Sequence, residues 1–143
     1  KVTFMKKLFT LDNFPFHFEI NTRWRDLDAF GHVNNATFAT YVEDARVSMF
    51  KRWNLSQKPG HRSVIAASLK LDFKQQLTHP TGIIVGQRIS RIGTTSFDIQ
   101  AAIYKKDAPN SPICETLLTC VCFNYDKQKS VSVYSEIVKD FTI

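Results

Sequence analysis

No stretch of this chain approaches the roughly 20 consecutive apolar residues that a membrane-crossing helix needs, so no membrane span is expected. Lys/Arg runs never exceed two residues and no DNA- or RNA-binding motif is present, so nucleic acid is a poor fit as a partner. The formal net charge of +6, from 19 basic and 13 acidic residues, is scattered and attracts anions in general. Cysteine is scarce, and the three present, Cys114, Cys120 and Cys122, fall at even spacing in one expected strand. They therefore share a face and do not easily bridge one another. No histidine is placed to complete a zinc site, and reduced thiols in a cytoplasmic protein are the simplest reading. Internal repeats and low-complexity segments are absent as well.

What is present reads as one domain over residues 1–143, long enough to bury a substantial core. Residues 1–15 are set apart as a flexible N-terminal segment: Met5-Lys6-Lys7-Leu8-Phe9 resembles a translation start or a weak signal, but Asp12 and Pro15 interrupt any apolar stretch. From Phe16 the pattern has period two, with Phe16, Phe18, Ile20, Thr22 and Trp24 on one face and His17, Glu19, Asn21 and Arg23 on the other. His17 is expected in solvent.

Neither proline nor glycine occurs from Ala36 to Trp53, and Phe38, Tyr41, Val42, Ala45, Met49 and Trp53 recur at helical spacing. The polar stripe Thr37, Thr40, Asp44, Ser48 and Lys51 is narrow, which predicts a helix wrapped by other structure. Pro59-Gly60 marks a mobile turn. Strands are expected at 65–73, 83–92, 96–106 and 113–125, the second and third of these joined as an antiparallel hairpin. The last is apolar on both faces, Leu117, Val121 and Phe123 opposite Leu118, Cys120 and Cys122, which suggests a central strand or a subunit interface. Ser135 to Phe141 is expected as a short closing helix. The order is that of an α+β fold with one antiparallel sheet.

The chemistry concentrates in residues 23–46, R-W-R-D-L-D-A-F-G-H-V-N-N-A-T-F-A-T-Y-V-E-D-A-R. Gly31 breaks the chain, and Asn34 or Asn35 is placed to cap the helix. A carboxylate, Asp28, thus stands just before a helix N-terminus. The first N–H groups of a helix lack internal partners and carry partial positive charge, so they favour a negative oxygen. Attack on an acyl carbonyl generates such an oxygen. Asp28 beside it is placed to activate water or to attack the carbonyl itself, and the pattern reads as hydrolysis of an activated acyl compound. Asp26 reads as a turn or strand-end carboxylate. His32 reads equally as a base or as a turn-stabilising histidine. Glu43 and Arg46, three apart on the helix, pair with each other, which leaves Glu43 a weak supporting candidate.

The run D-x-D-A-F-G-H-V-N-N-A-x-F-x-x-Y-x-E-x-A-R resembles the signature of hotdog-fold acyl-CoA thioesterases, the 4-hydroxybenzoyl-CoA thioesterase-like group. The resemblance implies an antiparallel sheet of about five strands wrapped around a long central helix. It also implies cleavage of acyl-CoA thioesters to free acid and CoA, with no metal or organic cofactor, in a homodimer or homotetramer. Asp28 falls on the family's catalytic aspartate, and the backbone N–H groups of Asn35 and Asn34 fall at the amide that polarises the thioester carbonyl; His32 and Glu43 take supporting places. Phe30 and Asp44 stand where the plant acyl-ACP thioesterases carry asparagine and glutamate, so the bacterial acyl-CoA version fits better. Two other functions share the fold: a non-catalytic acyl-CoA binding module, and an enoyl-thioester hydratase or dehydratase, whose H-F-P segment this chain lacks.

Overall fold

The computed structural model describes residues 10–55 and 62–141. Its centre is the helix α1, Asn35–Arg52, and a single side chain sets where that helix begins. Asn34 is extended (φ −61°, ψ 137°) and its side-chain oxygen accepts the Ala36 N–H at 2.9 Å, a standard N-cap. Lys51 and Arg52 occupy the last turn, where cations oppose the helix dipole. Beyond it Asn54 takes φ 56°, the left-handed conformation that ends helices.

Among the described residues six strands form one antiparallel sheet: β1 (Phe16–Asn21), β2 (Ser63–Phe73), β3 (Gly82–Ile92), β4 (Ser96–Lys105), β5 (Cys114–Asn124) and β6 (Lys129–Ser130). The order is β1-β3-β4-β5-β2, with the short β6 paired to β5. β3 and β4 form the expected hairpin, closed by the Gly93 N–H donating to the Ser96 carbonyl at 2.7 Å. The sheet curls around α1 as the resemblance implied. Phe38, Tyr41, Val42 and Ala45 pack on Ile83, Val85, Ala101 and Ile103, and farther down the helix Met49 and Trp53 pack on Ile89, Phe97, Ile99 and Leu118. The short α2, Ser135–Lys139, docks at that lower end. There the Asp140 carboxylate accepts from the Arg52 guanidinium at 2.8 and 2.9 Å and from the Trp53 indole at 2.7 Å.

Three expectations change. β1 stops at Asn21, and Trp24–Asp26 form a 3-10 turn that leaves Trp24 78% exposed, because the Asp26 carboxylate captures the Arg23 N–H at 2.8 Å. β5 is interior, but only one of its faces is sealed: Cys114, Leu118, Cys120 and Cys122 are buried, while Leu117 on the other face is 40% exposed. The strand covered on both faces is β4, because the turn Leu11–Asn13 lays Leu11 and Phe14 over Ala102 and Tyr104. Residues 10–15 are therefore anchored through Leu11 and Phe14 while Asp12, Asn13 and Pro15 stay exposed, and only residues 1–9 of the segment set apart as flexible lie outside the described residues, as does the Pro59-Gly60 turn. His17 lies on the exposed face as expected, and its Nε2 also donates to the Leu11 and Phe14 carbonyls at 3.0 and 2.9 Å, which fastens that turn to β1.

Candidate active site

The segment from Arg23 to Asn35 is shaped by one buried carboxylate. Asp26 accepts the Arg23 amide at 2.8 Å, the Arg23 guanidinium at 3.1 and 3.0 Å, and the Tyr41 hydroxyl of α1 at 2.6 Å. Its backbone carbonyl takes the Asn34 N–H at 2.9 Å. Burial pushes the Asp26 carboxyl up, but the hydrogen bonds from Tyr41 and Arg23 outweigh it and hold the group below the usual carboxylate range. Burial, then Asp26 itself, pushes Tyr41 up. Strand end, loop and helix start are thereby fixed to one point by Asp26.

Between those anchors the chain makes a tight turn. Asp28 and His32 join through the Asp28 N–H to the His32 carbonyl at 2.7 Å, and Gly31 supplies φ +81°, a conformation that side chains resist. Asp28 Oδ1 accepts the Phe30 N–H at 2.8 Å and the His32 N–H at 3.3 Å. One carboxylate oxygen is thus spent on the turn, and the other has no hydrogen-bond donor among the described residues. Val33 then donates to the Leu77 carbonyl at 2.7 Å, which holds the segment after β2 against this turn.

The result is a cleft of about 860 Å³. Asp28, Phe30, His32, Asn34, Asn35 and Phe38 form one side, and Phe73, Lys74, Gln75 and Gln76 the other. The Phe38 and Phe73 rings stand 5.7 Å apart. The Asn35 N–H, first of the helix, meets no acceptor among the described residues, and Asn35 lines the cleft. The Asn34 N–H does meet one: its bond to Asp26 removes it from the expected pair of donors, and Asn34 contributes a cap instead. His32 lines the cleft half-buried, and it meets Asp28 through its backbone N–H rather than its ring. Glu43 is exposed, 3.5 Å from Arg46, and stands apart from the cleft.

Sequence reasoning missed the far wall. Phe73 to Gln76 lie about thirty residues beyond the end of the motif at Arg46, and nothing in their types marks them as a site. All three cysteines are buried away from the cleft, and burial pushes the Cys114 and Cys120 thiols up to about 12, which favours the protonated, unreactive form. Among the described residues no three His, Cys, Asp or Glu side chains converge to hold a metal, and no helix is long and apolar enough to cross a membrane.

The thioesterase-like superfamily model matches residues 22–141, so it takes in the turn, the helix and the whole sheet from β2 to β6. The chain belongs to that superfamily. Among solved structures, a Thermus thermophilus thioesterase complexed with coenzyme A and zinc is 25% identical, with 89% of this chain and 97% of that one covered at a TM-score of 0.74. The PA2801 protein of Pseudomonas aeruginosa, 23% identical, shares the fold at a TM-score of 0.83 over 88% of this chain and 97% of its own. A 1,4-dihydroxy-2-naphthoyl-CoA thioesterase from Synechocystis, 16% identical, shares it at 0.76 over 87% and 93%. The Bacillus subtilis protein YsmA is 28% identical over 87 residues, and the match spans 61% of this chain and 59% of that protein. This thioesterase-like chain is therefore a hotdog fold of the 4-hydroxybenzoyl-CoA thioesterase-like group, as its motif implied.

Proposed function

We propose that the chain hydrolyses acyl-CoA thioesters in the cleft at the N-terminus of α1. The observation that carries this reading is the pairing of Asp28, oriented through Oδ1 by two backbone amides, with the unpartnered Asn35 N–H on the same cleft wall. Bound with its carbonyl oxygen at the Asn35 N–H, a thioester presents its carbon to the cleft beside Asp28. Asp28 takes a proton from water, the hydroxide oxygen adds to the carbonyl carbon, and the helix N-terminus holds the oxyanion without reorganising. Collapse breaks the C–S bond, and the departing CoA thiolate recovers the proton from Asp28. The alternative route has Asp28 Oδ2 attack directly, expel the thiolate and form an anhydride that water then opens. A single turnover in heavy-oxygen water separates them, because only the anhydride route can place label in Asp28.

CoA as carrier is supported by the surplus of positive charge and by the coenzyme A bound in the Thermus relative. A second copy of the chain completes the site in this reading. β2 is a sheet edge, and its Leu69 and Phe73, on the helix side of the sheet, are 42% and 44% exposed in one chain. Replacing Asp28 by Asn keeps its shape and its turn contacts but removes the basic oxygen. Turnover of an acyl-CoA panel, followed by free thiol release, is expected to fall by about 10²-fold or more with an unchanged fold. Near-normal turnover in that variant overturns the assignment.

A further inference from the structure

Beneath α1 lies a second, much smaller cavity, lined by Val42, Arg46, Leu69, Gln87, Thr116 and Leu118 among others. Two polar atoms that line it have no hydrogen-bond partner among the described residues. Gln87 is 1% exposed, and its Nε2 donates to the Ala45 carbonyl at 3.1 Å, but its Oε1 receives no donor among the described residues. Thr116, 5% exposed, makes no side-chain hydrogen bond there either. Buried polar atoms are normally satisfied, and neither is sealed away, since no fully enclosed side-chain N or O lacks a partner among the described residues. Both therefore open into this slot. It holds about 10 Å³, room for about one water-sized group.

The slot and the cleft lie along one seam between α1 and the inner face of β2. At the cleft end Phe38 faces Phe73, and at the slot end Val42 and Arg46 face Leu69. Along the helix, Val42 and Arg46 stand about 10 and 16 Å from Asn35 at the ordinary rise per residue. Along β2, Leu69 stands about 13 Å from Phe73. The two walls thus keep pace, and a group at the slot is a medium-length acyl chain away from a carbonyl at the Asn35 amide.

Resting on the proposed thioesterase reading, we infer that the slot receives the far end of the acyl chain and selects a terminal hydroxyl: the substrate class is ω-hydroxyacyl-CoA. A hydroxyl is both donor and acceptor, so it satisfies Gln87 Oε1 and accepts from the Thr116 hydroxyl. A methyl terminus leaves both groups dry and unpaired. A carboxylate sets its own charge against Gln87 Oε1, and Arg46, the cation among the slot's lining residues, already stands 3.5 Å from Glu43.

The test compares ω-hydroxydecanoyl-CoA with decanoyl-CoA and with the ω-carboxy analogue. For the unaltered protein, kcat/KM is expected to favour the hydroxylated ester by about tenfold, the worth of roughly one to two net hydrogen bonds. Thr116→Val and Gln87→Leu are each expected to reduce that ratio to about threefold or less, chiefly by raising KM for the hydroxylated ester. ω-Hydroxyhexanoyl-CoA, too short to reach, is expected to show no advantage over hexanoyl-CoA. Equal kcat/KM for the first pair, preference for the carboxylate, or a preference untouched by both substitutions overturns the inference and leaves thioester hydrolysis standing. Should no ester be hydrolysed, the proposed function fails, and the slot is read separately by calorimetric binding of the same esters to the Asp28→Asn chain. Equal Kd values there overturn it too.

Discussion

At the scale of single residues, the oxyanion assignment rests on a backbone group, and the sequence position allows that group to be removed. Asn35 is the first residue of α1, where proline is well accommodated because its missing N–H has no helical role. Asn34 before it already holds the extended conformation that a residue preceding proline requires. Asn35→Pro is therefore expected to keep the helix and the thermal midpoint while lowering kcat by about 10²–10³-fold, the usual cost of an oxyanion donor. Asn35→Ala, which keeps the N–H, is expected to behave as the unaltered chain. Full turnover in the proline variant would remove the Asn35 amide from the mechanism.

Asp26 belongs to the same scale, with a different outcome. Its folded-state carboxyl lies below the usual range near 3.8 because the Tyr41 and Arg23 bonds outweigh burial. A depressed folded value means that its stabilising contribution is complete above the unfolded value. The contribution is lost as pH falls from about 3.8 through the lower folded value. Asp26→Asn is expected to cost about 1–3 kcal/mol at neutral pH, and the gap to the unaltered chain in urea melts should narrow below that pH. A constant gap would show that the ionised carboxylate is not what matters. Motif reading set Asp26 apart from Asp28, and the two carboxylates do take different partners: Asp26 the Arg23 and Tyr41 side chains, Asp28 the amides of its own turn. It assigned both asparagine amides to the oxyanion, however, because the carbonyl that claims the Asn34 N–H is eight residues back and becomes its neighbour only once Tyr41 draws Asp26 inward.

Among elements, α1 and the four long strands were legible because their periodicities are intrinsic to each segment. Coverage from outside was not. The turn Leu11–Asn13 carries no periodic signal, and its packing is decided by a space on β3. Gly86 leaves that space: a Cβ there would meet Phe14 side-chain atoms at 2.8 to 2.9 Å. Gly86→Ala is expected to displace Phe14 and destabilise by about 1–3 kcal/mol, the range for overpacking. In a Phe14→Ala background the same change should cost far less, because the clash is gone. Strict additivity across this double-mutant cycle would refute the contact. β5 was read as apolar on both faces for a related reason: composition shows what a strand tolerates, and only the assembled sheet shows that Leu117 stays 40% exposed.

For the whole molecule, the unfinished surface is the seam between α1 and β2. An edge strand with an open side invites pairing with another chain, and here the inner residues of that strand, Leu69 and Phe73, are left half uncovered while also lining the two cavities. A second copy seated on β2 would extend the sheet, cover both side chains and roof the path between cleft and slot, so assembly and acyl binding are one requirement. Light scattering is expected to give twice the 16.4 kDa of one chain, or a larger even multiple. Leu69→Lys tests the location: a lysine is readily accommodated at a position 42% exposed in the lone chain, but it sets a charge in the middle of the covered face. The variant should fold, scatter as 16.4 kDa or nearly so, and lose hydrolysis of medium-length esters through a raised KM. An unaltered chain that is monomeric at assay concentration and fully active would refute the second copy's role, and a Leu69→Lys protein that stays assembled would move the interface away from β2.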